Sequence, residues 1–476
     1  MSEELHPLSN SNERGPESTA EMLEEVHEDG FSLSDQLIAD FADALDEGEV
    51  ETLKTILNDL SEADVAELFH KMDREARHIF LDKHADLIDP LVYSHLSPEL
   101  REIILSDMPP AAVAKILSEL ESDDALDLII DLDAQFQKEI LRYLSAKNRL
   151  ALEEGLSYPE ESAGRLMQRE YVAIPQFWTV GKTIDYLRAA GDDIPEDFYD
   201  LIVIDPYYHV IGEIPLNKLV RAKRSEKINE IAREDIHIIP ATMDQEEVAH
   251  LFRREDLGSA PVVDEDGRLV GVITIDDVID VIDEEAGEDI LKLAGVDESD
   301  LYSAVLSTSL SRSKWLLVNL LTAFIAASVV SMFGATIEKV VALAALMPIV
   351  AGMGGNAGTQ ALTVAVRAIA MRELSNTNAG RAIIKEGLVG LINGCVFAVL
   401  VGAIAALWFH NIILGGVIAM ALVINLISAG LFGAGIPILL NKYGQDPAIS
   451  SSIFLTTVTD TVGFFAFLGL ATIFLA

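Results

Sequence analysis

Cysteine is nearly absent from this chain, and basic charge is scarce beside acidic. Its 476 residues carry 34 Lys/Arg against 77 Asp/Glu, and one cysteine, Cys395. A single cysteine excludes an intrachain disulfide and a thiolate metal site. A formal net charge of −43 has the wrong sign for nucleic acid, which is held by clustered Lys and Arg. It favours cations as partners instead. The start, Met1-Ser-Glu-Glu-Leu, is polar and acidic and lacks an apolar h-region, so it does not read as a secretory signal peptide. No nucleophile motif, metal triad or phosphate loop stands out, which argues against an enzyme.

The acids are not spread evenly. Residues 1–310 hold 26 Lys/Arg and 72 Asp/Glu, whereas residues 311–476 hold 8 and 5. A strongly acidic soluble half is therefore joined to an apolar half, in a chain too long for one ordinary domain. The fold expected is a multidomain membrane protein: N-terminal α-superhelix, tandem α/β pair, connecting helix and five-helix transmembrane domain. The expected boundaries are 1–30, 31–160, 161–283, 284–312 and 313–476. The first 30 residues, rich in Ser, Glu, Asn and Pro, are expected to be disordered.

From about Leu33 to Leu156 apolar residues recur at helical spacing, as at Val65, Leu68, Phe69 and Met72. Short breaks such as Leu96-Ser-Pro-Glu and Met108-Pro-Pro separate the helices. The segments from Leu60 and Asp107 look like variants of one unit, which predicts a stack of short helix pairs. Residues 163–283 alternate β-rich runs with helices, and they repeat. Leu201-Ile-Val-Ile-Asp-Pro-Tyr-Tyr-His-Val-Ile-Gly-Glu-Ile aligns with Ala260-Pro-Val-Val-Asp-Glu-Asp-Gly-Arg-Leu-Val-Gly-Val-Ile. This resembles a tandem pair of cystathionine-β-synthase-type (CBS) regulatory repeats, which commonly bind adenosine nucleotides. The resemblance implies an ATP-like ligand at Thr274 and Asp277 of the second copy. The first copy has Pro215 and Asn217 in that region and departs from the pattern. An acidic helix beginning at Asp276 then leads towards Trp315 with nothing long or flexible between.

Five apolar segments follow, roughly Trp315–Ile337, Val340–Val366, Ile383–Phe409, Ile412–Leu440 and Ala448–Phe474. Each is long enough to cross a ~30 Å hydrocarbon core. Arg312, Lys314, Arg367, Arg372, Arg381, Lys385 and Lys442 flank one set of ends. The positive-inside rule then puts the N-terminal half in the cytoplasm and the C-terminus outside. The second segment holds Pro348-Ile-Val-Ala-Gly-Met-Gly-Gly-Asn-Ala-Gly-Thr-Gln. Its glycines permit close packing, Pro348 and the glycines weaken the helix, and Asn356 adds a neutral oxygen ligand. Asn425 and Ser428 in the fourth segment read as packing hydrogen bonds. Asp460 is alone among the charges of the run from Ala448 to Ala476. A carboxylate there costs at least ~2.5–3.5 kcal/mol, and such residues face a bundle interior or a water-filled path.

The whole order, with Gly-Gly-Asn-Ala-Gly-Thr-Gln in the second span and Thr-Thr-Val-Thr-Asp in the fifth, resembles the MgtE family of magnesium channels. That resemblance implies a homodimer in the plasma (inner) membrane with its pore on the two-fold axis. It also implies cytosolic domains that close the pore when Mg²⁺ is abundant. By family position Asp460, Asn356, Ser452 and Thr456 line the pore, with Ser452 standing where an amide is expected. Asp123, Asp127, Asp244, Glu246, Asp256, Asp277, Glu285, Glu288, Asp289 and Asp446 are the regulatory Mg²⁺ ligands the resemblance implies. Asp123 and Asp127, four apart, share a helix face, and Asp446 is expected to meet the acidic helix through a bridging Mg²⁺. Three alternatives stay open: a general transporter of Mn²⁺, Co²⁺ or Ni²⁺, a CBS-containing membrane sensor without transport, and a proton-coupled carrier. A carrier of the last kind would need a second carboxylate or histidine as a relay partner, and away from their ends the spans offer none.

Overall fold

Helices in the first 155 residues are short because the sequence stops and restarts them every ten residues or so. The computed structural model describes residues 32–191, 194–195, 198–296, 305–375, 377–448 and 451–475. The N-terminal segment expected to be disordered lies outside them. The chain divides into two compact units between Ile282 and Asp283.

In the first unit, α1 (Asp35–Glu47), α2 (Val50–Asp59), α3 (Glu62–Lys71), α4 (Arg74–His84) and α5 (Leu91–Ser94) are followed by α6 (Pro98–Asp107), α7 (Pro110–Glu119), α8 (Ser122–Ile130), α9 (Ala134–Leu141) and α10 (Ala146–Gly155). Ser34, Asp73, Asp133 and Ser145 cap helix starts with their side chains, and Ser61 with Asp64 forms a capping box. Pro98 and Pro110 sit in the first helical turn, where no N–H is missed. The two segments read as variants of one unit open α3 and α7, each a ten-residue helix. Buried Phe41, Phe69 and Phe80 meet ring to ring at 5.4 and 5.7 Å. The buried guanidinium of Arg77 donates to the carbonyls of Phe69 (3.0 Å) and Met72 (2.8 Å), satisfying the end of α3.

Beyond α11 (Ala163–Leu166) the repeat is plain. The first copy runs β1 (Ala173–Pro175), α12 (Val180–Ala190), β2 (Asp200–Ile204), β3 (Val210–Pro215), α13 (Leu216–Arg221) and α14 (Ile228–Ile231). The second runs β4 (Ile239–Pro240), α15 (Gln245–Glu255), β5 (Ser259–Val263), β6 (Leu269–Thr274) and α16 (Ile275–Ala294). Each sheet pairs its first two strands in parallel and its last two antiparallel. Both slip register at the same aligned step, Val203/Ile204 and Val262/Val263. The copies exchange flanks. Gln168 bridges Val272 of the second sheet, and Arg233 bridges Glu213 of the first. Ile202, Ile204, Val210, Val263, Leu269 and Val272 form one buried cluster shared by the two sheets.

Among the described residues the second unit contains five helices long and apolar enough to span a membrane. They are α17 (Val305–Met332), α19 (Ala342–Ala370), α20 (Ala379–Trp408), α21 (Ile412–Lys442) and α22 (Ser451–Phe474), with short α18 (Gly334–Lys339) after the first. The first span therefore stops at Met332 rather than Ile337, because Phe333 leaves helical geometry ahead of Gly334. Pro348 and the glycines do not interrupt α19, which runs unbroken through them. Glycines set how closely these helices approach. A Cβ at Gly402 would lie 2.9 Å from the Gly415 carbonyl oxygen, and one at Gly433 would lie 2.7 Å from that of Gly358.

Gly402→Val should cost about 1–3 kcal/mol by overpacking and lower the melting temperature of the detergent-solubilised protein. Gly416→Ala, where a Cβ meets nothing within 4 Å, should leave it unchanged. Equal melting of both variants would contradict the close approach of α20 and α21.

Candidate functional site

Asp460 is the only ionisable residue of α22. It is half-buried and makes no hydrogen bond or ion pair among the described residues. Ser452, Thr456 and Asp460 follow at four-residue steps, so one helical face carries all three. Thr456 is exposed, and its hydroxyl donates to the Ser452 carbonyl at 2.9 Å. On the neighbouring α19, Asn356, Thr359 and Gln360 are also exposed. The two helices meet where Gly358 receives Leu455, and a Cβ there would stand 2.9 Å from the leucine methyl. A strip of hydroxyl, amide and carboxylate groups thus lies open along two packed spans. Asn425, expected to make a packing hydrogen bond, is fully buried and donates to the Val350 carbonyl at 2.8 Å.

Four aspartates gather in the first unit. Asp123 and Asp124 open α8, and Asp276 and Asp277 open α16. Asp277 accepts a 2.7 Å hydrogen bond from Thr274, so the two residues expected to hold a nucleotide already satisfy each other. Burial, reinforced by Asp276 and Asp124, raises the Asp277 carboxyl to about 7. Burial and Asp277 push Asp123 well above the usual carboxylate range, and burial with Asp127 raises Asp124. Asp127 is turned elsewhere: it is ion-paired with Arg101, which also reaches Asp131 at 3.2 Å. Asp123 and Asp127 share a helix but not a partner. Arg101 is buried and went unnoticed in the sequence, where its separation from Asp127 gave no local cue.

Asp244, Glu246 and Asp256 are exposed and do not converge. Asp244 caps the start of α15 and accepts from the Glu246 N–H at 2.9 Å. Asp256 caps its far end in a left-handed conformation, φ 52°. The helix between holds Asp244 and Asp256 about 18 Å apart along its axis, too far for one ion within this chain.

In the second unit, Glu288, Asp289 and Lys292 of α16 meet Asp446. Lys292 Nζ lies 2.6 Å from Glu288 Oε1 and 3.0 Å from Asp446 Oδ2, while Asp446 Oδ1 accepts from the Ala448 N–H at 2.7 Å. Lys292 thus stands between Glu288 and Asp446, where a bridging Mg²⁺ is expected. Burial works against the Lys292 charge, but hydrogen bonds to Glu288 and Asp446 outweigh it and hold its pKa up. Burial, Asp446 and Glu288 raise the Asp289 carboxyl against the pull of Lys292. Glu285 lies one turn earlier, half-buried. Lys292 sits four residues after Glu288, a spacing that favours such a pair and was legible. Among the described residues no three His, Cys, Asp or Glu side chains converge to hold a metal. Mg²⁺ keeps several waters and takes one or two carboxylates, so these pairs suit it where a full protein cage does not exist.

Residues 347–470 match a family described as MgtE, divalent cation transporter. Residues 60–161 match the MgtE intracellular N domain and residues 228–284 a CBS domain. The chain is 35% identical to the magnesium transporter MgtE of Thermus thermophilus over 450 residues, covering 93% of this chain and 99% of that protein. It is 31% identical to that of Bacillus subtilis over 447 residues, covering 93% and 98%. Among solved structures, the cytosolic domain of the Mg²⁺ channel MgtE in complex with ATP is 33% identical with a TM-score of 0.48, over 51% of this chain and 99% of that one.

The raised Asp277 carboxyl has a consequence for stability. The folded protein keeps a proton up to about pH 7 that the unfolded chain releases near ~4. Stability contributed by this group is full below ~4 and is lost as pH rises towards 7. In metal-free buffer the melting temperature should therefore fall between pH 5 and 7.5, and Asp277→Asn should flatten that fall. A wild-type slope retained by Asp277→Asn would place the titration elsewhere.

Proposed function

The chain belongs to the MgtE family, and from that premise we propose that it carries Mg²⁺ through a multi-pass membrane domain along a path lined by α19 and α22. The observation that carries this reading is Asp460, half-buried in an apolar span with no protein partner among the described residues. A charge so placed costs at least ~2.5–3.5 kcal/mol unless something solvates it. A hydrated cation does so. Mg²⁺ sheds water reluctantly, so the carboxylate holds its water shell by hydrogen bonds, with Asn356, Ser452 and Thr456 along the same strip. Binding through water is weak enough for release, which conduction requires.

A single copy would turn that polar strip towards lipid. A second copy related by a two-fold axis covers it and supplies a second Asp460, which is the case for a homodimeric pore. Arg312, Lys314, Arg367, Arg372, Arg381, Lys385 and Lys442 mark one side of the membrane domain against Lys339 on the other. The positive-inside rule then assigns the soluble unit to the cytoplasm, the C-terminus outside and import across the plasma (inner) membrane.

The acidic clusters are the regulatory part of the proposal. Asp123, Asp124, Asp276 and Asp277 repel one another, and Mg²⁺ bound among them favours the arrangement that gathers them. An ion that binds the gathered, closed form better than the open form shifts the balance towards closure. In the membrane unit Lys292 already neutralises Glu288 and Asp446, so Mg²⁺ binding there competes with the ammonium. Asp244, Glu246 and Asp256 become ligands only with groups from a second chain. An adenosine nucleotide at Thr274 and Asp277 would bring phosphate towards four aspartates, so its binding should need a divalent cation.

Asp460→Ala should reduce Mg²⁺ entry into proteoliposomes by at least about tenfold, a loss of ~1.4 kcal/mol or more in stabilisation of the barrier crossing. Normal entry would remove Asp460 from the path. Glu285→Gln with Glu288→Gln should raise the internal Mg²⁺ needed for half-inhibition severalfold in patch recordings. Unchanged inhibition would remove these two glutamates from the sensor.

A further inference from the structure

We propose that Asn425 is a positioning residue for Mg²⁺ passage, the wedge that fixes α19 and α22 against each other so that their polar groups face one path. The proposal rests on the transport reading above. Asn425 belongs to neither of those two helices. It lies midway along α21, the fourth span, and is fully buried. Its amide nitrogen donates to the Val350 carbonyl of α19 at 2.8 Å. Of the two ends of the amide only the nitrogen can donate to a carbonyl, so the orientation of the amide is set by this bond.

The same amide is seated in two notches. A Cβ at Gly354 of α19 would overlap the Asn425 amide nitrogen, and a Cβ at Gly463 of α22 would lie 2.7 Å from it. Both glycines are buried. Gly354 stands two residues before Asn356, and Gly463 three residues after Asp460. One side chain therefore meets the backbones of both helices of the proposed path, next to the residues that would meet the ion. Its carbonyl oxygen is buried with no hydrogen-bond partner among the described residues, although a buried polar atom ordinarily finds one. A leucine of similar size would fill the space without leaving that atom unpaired. The amide donor, aimed at α19, is what the leucine lacks.

The test is Mg²⁺ entry into proteoliposomes, expressed per folded dimer from size-exclusion profiles and measured over a range of external Mg²⁺. Asn425→Leu should keep the protein folded yet lower entry about tenfold and change its half-saturating Mg²⁺ concentration. Gly463→Ala, which drives a methyl against the seated amide, should lower entry per dimer severalfold, and Asn425→Ala, which removes both donor and wedge, should lower it as well. Should Asn425→Leu fail to fold, the Gly463→Ala and Asn425→Ala variants decide. Wild-type entry and half-saturation in Asn425→Leu would overturn the proposal. So would wild-type entry in both Gly463→Ala and Asn425→Ala, or variants that lose only folded protein while entry per dimer stays the same. Absence of entry in the wild-type protein would instead sink the transport reading on which the proposal rests.

Discussion

A carboxylate in hydrocarbon must be solvated by something, and the membrane unit is arranged around that requirement. Asp460 has no hydrogen-bond or ion-pair partner among the described residues, and its helix is otherwise free of charge. The surrounding helices do not bury it more deeply or pair it. They leave a strip of Asn356, Thr359, Gln360 and Thr456 open beside it. Close glycine contacts let α19, α21 and α22 pack tightly behind that strip. On the proposed reading the missing partner comes from outside the chain, as a hydrated ion and as a second copy.

The soluble unit handles charge in the opposite way. There, carboxylates are abundant and cheap in water, and the structural problem is where they are forced together. Asp123, Asp124, Asp276 and Asp277 meet at the starts of α8 and α16, and burial with mutual repulsion raises three of the four. Asp127, Glu288 and Asp446, by contrast, are neutralised by Arg101 and Lys292. The protein therefore separates acids that its own cations satisfy from acids that remain short of positive charge. On the proposed reading, Mg²⁺ binds directly among the second group and competes with Lys292 at the first.

Much of this was legible in the sequence, and the reason is locality. Five apolar runs and a lone aspartate need no partner to be recognised, and the CBS-type repeat betrays itself through aligned residues whose sheets share one topology and one register slip. What escaped depends on contacts between distant positions. Arg101 with Asp127, and Asn425 with Gly354 and Gly463, join segments that no periodicity links. Helical spacing alone put Asp123 and Asp127 on one face, yet neighbours on other helices sent them to different partners. Asp244 and Asp256 were grouped by resemblance, although α15 between them already implied a separation too large for one ion. The end of the first span at Met332 turned on the local geometry of Phe333, which hydropathy does not register.

The central claim is that Mg²⁺ crosses the membrane unit and that the acidic soluble unit restrains it. Purified protein reconstituted into liposomes with an internal Mg²⁺ indicator tests both parts together. Rapid entry of external Mg²⁺ is predicted when internal Mg²⁺ is low, with progressive slowing as the vesicles are preloaded. No Mg²⁺ entry at any internal concentration, in vesicles shown to contain folded protein, would contradict the account.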